Sequence, residues 1–154
     1  MNAIELLTND HKTVKKLLEE LSGTTERALK KRTELLARLE QELQAHTTIE
    51  EEIFYPAMKQ AGNKEDAKMY YEAKEEHRTV EALVLPDLLK TQPDTVEFSG
   101  RIKVLKELLE HHIEEEEEEL FPRAKELFDT ATLDQLGDAM QAQKKLIKGE
   151  RTAA

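Results

Sequence analysis

The sequence predicts an all-α protein, an up-down four-helix bundle with a short fifth helix at its C-terminus. Three observations carry this. Gly and Pro number only 5 and 4 in 154 residues, while Glu, Lys, Leu and Ala abound, a composition that favours helix. Apolar residues recur every three or four positions along four long stretches, and no strand-like alternation appears. The breaks between the stretches are short, which makes successive helices antiparallel neighbours. With 38% hydrophobic and 36% charged residues, each helix has a narrow buried stripe and a solvated exterior.

The first helix spans residues 3–22, with a seam of Ile4, Leu7, His11, Val14, Leu18 and Leu21. Gly23 stops it, and Thr24 or Thr25 can cap the next helix. That second helix runs from about 25 to 61 on a seam of Leu36, Leu39, Leu43, His46, Glu50, Ile53 and Ala57, and Pro56 bends it or thins its hydrogen bonding. The third, about 64–90, carries Tyr70, Ala73, His77, Val80 and Val84, and Pro86 perturbs its far end. Asp94 with Glu97 resembles a capping box for the fourth, about 95–128, whose seam is Ile102, Leu105, Leu109, His112, Glu116, Glu119 and Arg123. Thr132 with Gln135 signals the start of the fifth, with Leu133, Leu136, Met140 and Ile147. Residues 1–130 are expected to form one domain, followed by a C-terminal helix and tail over 131–154.

The halves repeat. AHTTIEEEIFYP at 45–56 returns as HHIEEEEEELFP at 111–122, and NDHKTV with His11 returns as EEHRTV with His77, both at an offset of 66 residues. His46 with Glu50, and His112 with Glu116, each stack on one helix face at i,i+4. A lone seam histidine is an ordinary core residue. Four histidines and two glutamates on the inward seam are different, because burying that many ionisable groups without compensation costs several kcal/mol each. A cation removes the difficulty. Imidazole with carboxylate suits Fe, Zn, Mn or Co, and the absence of Cys disfavours a structural zinc site. Six ligands exceed one tetrahedral ion and match two metals bridged by carboxylates. The repeat then assigns His11 and His46 to one metal and His77 and His112 to the other, with Glu50 and Glu116 bridging. Positions remain for an oxo or hydroxo bridge and an incoming small molecule.

The order H…HxxxE…H…HxxxE, with IEEEIFYP and EEEEELFP after the motifs, resembles the bacterial hemerythrin-like HHE cation-binding domains over about residues 3–128. The resemblance implies a bundle holding two Fe ions, a non-haem di-iron centre that meets oxygen, nitric oxide or peroxide. It implies the ligands His11, His46, Glu50, His77, His112 and Glu116. Oxygen-carrying hemerythrins have a further histidine four residues from the first on the third helix, where this chain has Ala73 and Glu81, and their last motif is HxxxxD rather than HxxxE. Glu81 stacks four residues beyond His77 and is therefore a candidate ligand, or near neighbour, of the second metal. The functions expected are binding or sensing of oxygen, nitric oxide or reactive oxygen species. The alternatives are a di-iron peroxidase, catalase-like or oxidase enzyme, or iron storage.

Other residues read as ordinary. His111 falls about 100° from His112 and is expected to be no ligand. Tyr55 matches Phe121 in the repeat and reads as core, as does Tyr70. Glu114, Glu115, Glu117 and Glu118 read as a solvated face. The net charge of −10 makes nucleic acid or an anionic membrane an unexpected partner. No signal peptide or membrane-length apolar run is present, so a soluble cytoplasmic protein is expected, as monomer or homodimer, with a small diatomic or peroxide ligand.

Overall fold

Asn2 opens the first helix. Its side chain accepts the Glu5 N–H at 2.9 Å while the Glu5 carboxylate accepts the Asn2 N–H at 3.1 Å, a reciprocal cap. In the computed structural model, which describes residues 1–153 with side chains through Gly149, α1 then runs Ala3–Ser22. Helix α2 is three contiguous pieces: an α-helix Leu29–Ile49, a π turn Glu50–Phe54 and an α-helix Tyr55–Ala61. Helix α3 is built the same way from Lys64–Thr79, a π turn Val80–Val84 and Leu85–Leu89. Helix α4 follows suit with Val96–Glu115, a π turn Glu116–Leu120 and Phe121–Leu127. Helix α5 is Thr130–Ala153. No strand occurs among the described residues.

Three caps differ from expectation. The Thr24 hydroxyl turns back to the Leu21 carbonyl at 2.6 Å, so α2 starts late, at Leu29, without a side-chain cap. Thr95, not Asp94, caps α4 through the Phe98 N–H at 3.2 Å. Asp129, not Thr132, accepts at the start of α5, from the Thr132 N–H at 2.8 Å.

The π turns correct the predicted seams. Each closes with an i→i−5 bond, from Tyr55 to the Glu50 carbonyl, Leu85 to Val80, and Phe121 to Glu116. Each sits just ahead of a proline, Pro56, Pro86 or Pro122, which cannot donate into an α ladder. A π turn takes up one extra residue, so every seam position beyond it advances. Ile53 and Ala57 are only half-buried, while Phe54, Tyr55 and Met58 fill the core. Glu119 is exposed, and Leu120, Phe121 and Ala124 take the interior in place of Glu119 and Arg123. Val84 likewise yields to Leu85 and Leu88.

Helix α1 packs between α2 and α4, and α3 closes the ring from the opposite side. Two apolar clusters fill it. One holds Val14, Leu18, Leu39, Leu43, Phe98, Ile102 and Leu105, and the other Leu6, Leu7, Ile49, Phe54, Met58 and Phe121. A fully buried leucine stabilises by about 1.5–3 kcal/mol, so these clusters set the register of all four helices. Between them lies the histidine–glutamate layer.

Helix α5 packs on α1 and α2, and its Leu133 and Met140 join the second cluster. Gly137 makes this possible, because a Cβ there would lie 2.4 Å from the Met1 carbonyl oxygen and 2.8 Å from the Ala3 nitrogen. At the other end Arg32 is 2% exposed. Its guanidinium donates to the Pro93 carbonyl at 2.6 Å, the Ser99 hydroxyl at 2.7 Å and the Thr24 hydroxyl at 2.9 Å, and lies over the Phe98 ring. It ties the loop before α2 to the loop before α4. No helix among the described residues is long and apolar enough to cross a membrane.

Candidate metal centre

The repeat places one imidazole from each of α1, α2, α3 and α4 in a single buried layer, with Glu50 and Glu116 one turn after the α2 and α4 histidines. His11, His46, Glu50 and Glu116 offer ligand atoms within 4.8 Å of one another, and so do Glu50, His77 and His112. Glu50 is common to both groups. Its Oε1 lies 3.1 Å from His46 Nε2 and 3.3 Å from His77 Nε2. Glu116 Oε1 lies 3.1 Å from His11 Nε2 and 3.4 Å from His112 Nε2. Each carboxylate thus reaches an imidazole of both expected pairs. All four Nε2 atoms face the layer.

Three of the outward nitrogens are hydrogen-bonded to carboxylates, and the fourth, His77 Nδ1, has a carboxylate near it without a hydrogen bond; sequence reasoning missed all four. His46 Nδ1 lies 2.9 Å from Asp10, His112 Nδ1 3.0 Å from Glu76, His11 Nδ1 2.9 Å from Glu117, and His77 Nδ1 3.4 Å from Glu51. These four obey the same offset as the histidines: Asp10 and Glu76 are 66 residues apart, and so are Glu51 and Glu117. Glu117 is therefore not part of a solvated face. A carboxylate on Nδ1 fixes the ring and leaves the Nε2 lone pair free to donate inward, the arrangement that orients imidazole ligands in metal sites.

Tyr55 corrects a second expectation. It is buried, as a core residue should be, but its hydroxyl enters the layer. It donates to Glu116 Oε2 at 2.6 Å and lies 3.3 Å from His77 Nε2 and 3.4 Å from His112 Nε2. Its repeat partner Phe121 stacks on His11 at 5.5 Å, as Tyr55 lies against His77 at 5.5 Å. The clue was the single added oxygen at otherwise matched positions. Tyr70 packs edge-on against Tyr55.

Glu81 belongs to neither ligand group, though it lines the same cavity as His77 and His112. It is exposed, and its carboxylate accepts the Thr47 hydroxyl. The expectation of a ligand there assumed α-helical stacking on His77, but Glu81 falls inside the π turn Val80–Val84, where that stacking is lost. His111 is exposed and pairs with Glu115 at 3.0 Å, and it groups with Glu115 and Glu76 rather than with the buried ligand atoms.

The electrostatics mark the layer as made for a cation. Neither oxygen of the fully buried Glu50 accepts a well-formed hydrogen bond. Burial opposes charging of His46, yet Glu50 and Asp10 hold its pKa well above the ordinary value. Burial likewise opposes His77, but Glu50 and Glu51 push it up to about 10. Burial would raise Glu50, and the charge of His46 instead draws it well down. The Tyr55 phenol is pushed well up, first by burial and then by Glu116 and Glu50. In the metal-free protein, protons on the rings do the neutralising that a cation would do. The donors fit one: imidazole nitrogen and carboxylate oxygen, with orphaned oxygens in a dry site.

Fold and site define a metal-binding helical bundle of the hemerythrin type. The model of the hemerythrin HHE cation-binding domain matches residues 2–124, and the chain belongs to that family. It is 30% identical to a crystal structure of a hemerythrin HHE cation-binding domain-containing protein from Mycobacterium kansasii, with a TM-score of 0.84 over 97% of this chain and 89% of that one. It is 31% identical to an uncharacterized protein of Mycobacterium tuberculosis, over 97% of this chain and 89% of the relative. It is also 25% identical to a DNA nickase of Nostoc sp., over 100% of this chain but only 43% of that protein, so it spans less than half of that relative's length.

Proposed function

We propose that the layer holds two iron ions and that the protein binds oxygen, nitric oxide or peroxide there, as carrier or sensor. The observation that carries this is the doubled ligand set. Four inward Nε2 atoms, each backed by a carboxylate, surround two carboxylates that each reach both histidine pairs. His11 and His46 would hold one ion, His77 and His112 the other, with Glu50 and Glu116 between them. When bound, the two ions supply redox capacity and Lewis acidity for a small ligand. The chain supplies the rest. Asp10, Glu76 and Glu117 lock three of the rings by hydrogen bonds, and Glu51 stands beside the fourth. Leu43, Val80, Leu108 and Leu109 line a cavity of about 100 Å³ that reaches His77 and His112, enough for a diatomic or peroxide molecule. The net charge of −10 supports a small-molecule partner over nucleic acid or membrane, and the absence of a spanning helix among the described residues agrees with a cytoplasmic setting.

One observation favours an enzyme as the second reading. The Tyr55 hydroxyl stands among the inward nitrogens, where it can deliver a proton to a reduced oxygen species. Metal analysis of iron-loaded protein, with visible spectra under argon, oxygen, nitric oxide and peroxide, tests both. Two irons per chain and a reversible change with oxygen or nitric oxide support binding, and peroxide turnover supports the enzyme. One metal ion per chain, at ample iron, removes the dinuclear proposal.

A further inference from the structure

The chain has 3 tyrosines, no Trp and no Cys, so phenols are its readily oxidised aromatic groups. All three tyrosines are in contact, in series. Tyr55 touches Glu116, His77 and His112 with its hydroxyl. Its ring meets Tyr70 edge-on, centroids 6.4 Å apart, and Tyr70 meets Tyr71 edge-on at 5.0 Å. Exposure rises along the series: Tyr55 is 1% exposed, Tyr70 half-buried and Tyr71 58% exposed. Packing alone does not ask for this. A core position beside the layer is served by Phe121 in the other half, and Tyr71 contributes almost nothing to the core. Lys59 clamps the outer end, with its ammonium 4.9 Å from both the Tyr70 and Tyr71 rings and 2.9 Å from the Tyr71 oxygen.

We propose that Tyr71, Tyr70 and Tyr55 form a one-electron route between the protein surface and the metal layer, giving the protein a reductant-linked peroxidase activity. This rests on the di-iron reading. Two iron ions held by the layer would supply the two electrons that, with two protons, turn peroxide into two waters, and the chain's own residues return those electrons one at a time. In each pass the Tyr71 O–H bond breaks, the proton leaves to water at the exposed oxygen, and the electron passes inward through Tyr70 and Tyr55. A water-soluble hydrogen-atom donor of the ascorbate or phenol class then restores Tyr71. Summed over two passes, one peroxide and two donor molecules give two waters and two donor radicals. The donor never enters the bundle, so a buried centre can be re-reduced by a molecule too large for the cavity beside His77.

The test uses full-length, iron-loaded protein mixed with hydrogen peroxide and freeze-quenched for electron paramagnetic resonance, with parallel samples assayed for dityrosine. Wild type gives a tyrosyl radical, dityrosine-linked dimers through the exposed Tyr71, and ascorbate oxidation. Tyr71→Phe abolishes the dimers and the ascorbate-quenchable radical. Tyr70→Phe slows ascorbate oxidation by about tenfold or more with iron content and visible spectrum unchanged. Wild-type radical yield, dimers and donor oxidation in both variants at equal iron content overturn the route. So does iron-loaded wild type that consumes peroxide without forming a tyrosyl radical. If wild type takes up no iron, or its spectrum does not respond to peroxide, the di-iron reading itself fails and the route with it.

Discussion

The Tyr55 hydroxyl donates to Glu116 across 2.6 Å, inside a layer otherwise composed of imidazoles and carboxylates. In the opposite half Phe121 fills the matching place without an oxygen. The two halves of the centre are therefore chemically unequal although their histidines are matched.

Tyr55→Phe should leave the fold and the metal count intact, since Phe is already accepted at the repeat partner. It should change the visible spectrum of iron-loaded protein, because a phenol beside both Nε2 atoms can ligate iron as phenolate. Metal analysis and absorption spectra check this. An identical spectrum would show that Tyr55 only hydrogen-bonds to Glu116.

Metal binding should strengthen with pH. The His77 pKa is about 10 in the metal-free fold, and those of His46 and His112 are also raised. Such groups add stability that is full below the ordinary histidine pKa of about 6.5 and is lost as pH rises through the folded value. Metal-free protein should thus lose melting temperature between neutral pH and about 10, the His77 value. Metal must displace these protons, so affinity should rise about tenfold with each unit of increasing pH for each proton released on binding. Cation titrations at several pH values, and melting of metal-free and loaded protein, measure both trends. At saturating metal, binding at a thousandfold excess over Kd stabilises the fold by about 4 kcal/mol.

Glu81→Ala should keep metal content and spectrum unchanged, because Glu81 accepts from Thr47 and lies in neither ligand group. Loss of one ion per chain in this variant would restore it as a ligand.

Gly137→Ala and Gly100→Ala should act in opposite directions. A Cβ at Gly137 meets the backbone of Met1–Ala3 and should cost about 1–3 kcal/mol as overpacking. Gly100, inside α4, has nothing within 4 Å, so Ala there should stabilise by about 0.5–1 kcal/mol. Urea unfolding of both variants decides. Equal effects would mean that α5 does not seat against the start of α1.

The fold and the buried histidine–glutamate layer were legible because periodicity places Leu39, Leu43, His46 and Glu50 on one stripe, and the 66-residue offset repeats it. What lay beyond Glu50 and Glu116 was not, because a π turn moves every later residue by one place and no composition signal announces it. That shift put Ile53 and Glu119 on the predicted seam and hid Phe54 and Leu120. Proline six residues after each turn begins was the available clue, at Pro56, Pro86 and Pro122. The carboxylates behind the histidines escaped for another reason. Asp10, Glu51, Glu76 and Glu117 sit one residue off the stripe, among many charged neighbours, and only their shared offset sets them apart. Arg32 gave no signal at all, since its partners are carbonyls and hydroxyls of Thr24, Pro93, Thr95 and Ser99, which no sequence pattern joins.

Mechanically, α5 is a load-bearing strap. Lys144 bonds to Asp10, Asp10 bonds to His46, and Gln143 reaches Glu52 two residues past Glu50. Tension applied to α5 is therefore expected to reach His46 through Lys144 and Asp10, alongside the Lys148–Glu42 pair that lies further along the helix. A metal ion held by His46 would anchor the inner end of that line. Force needed to peel α5 away then becomes a gauge of whether the layer beneath it is filled.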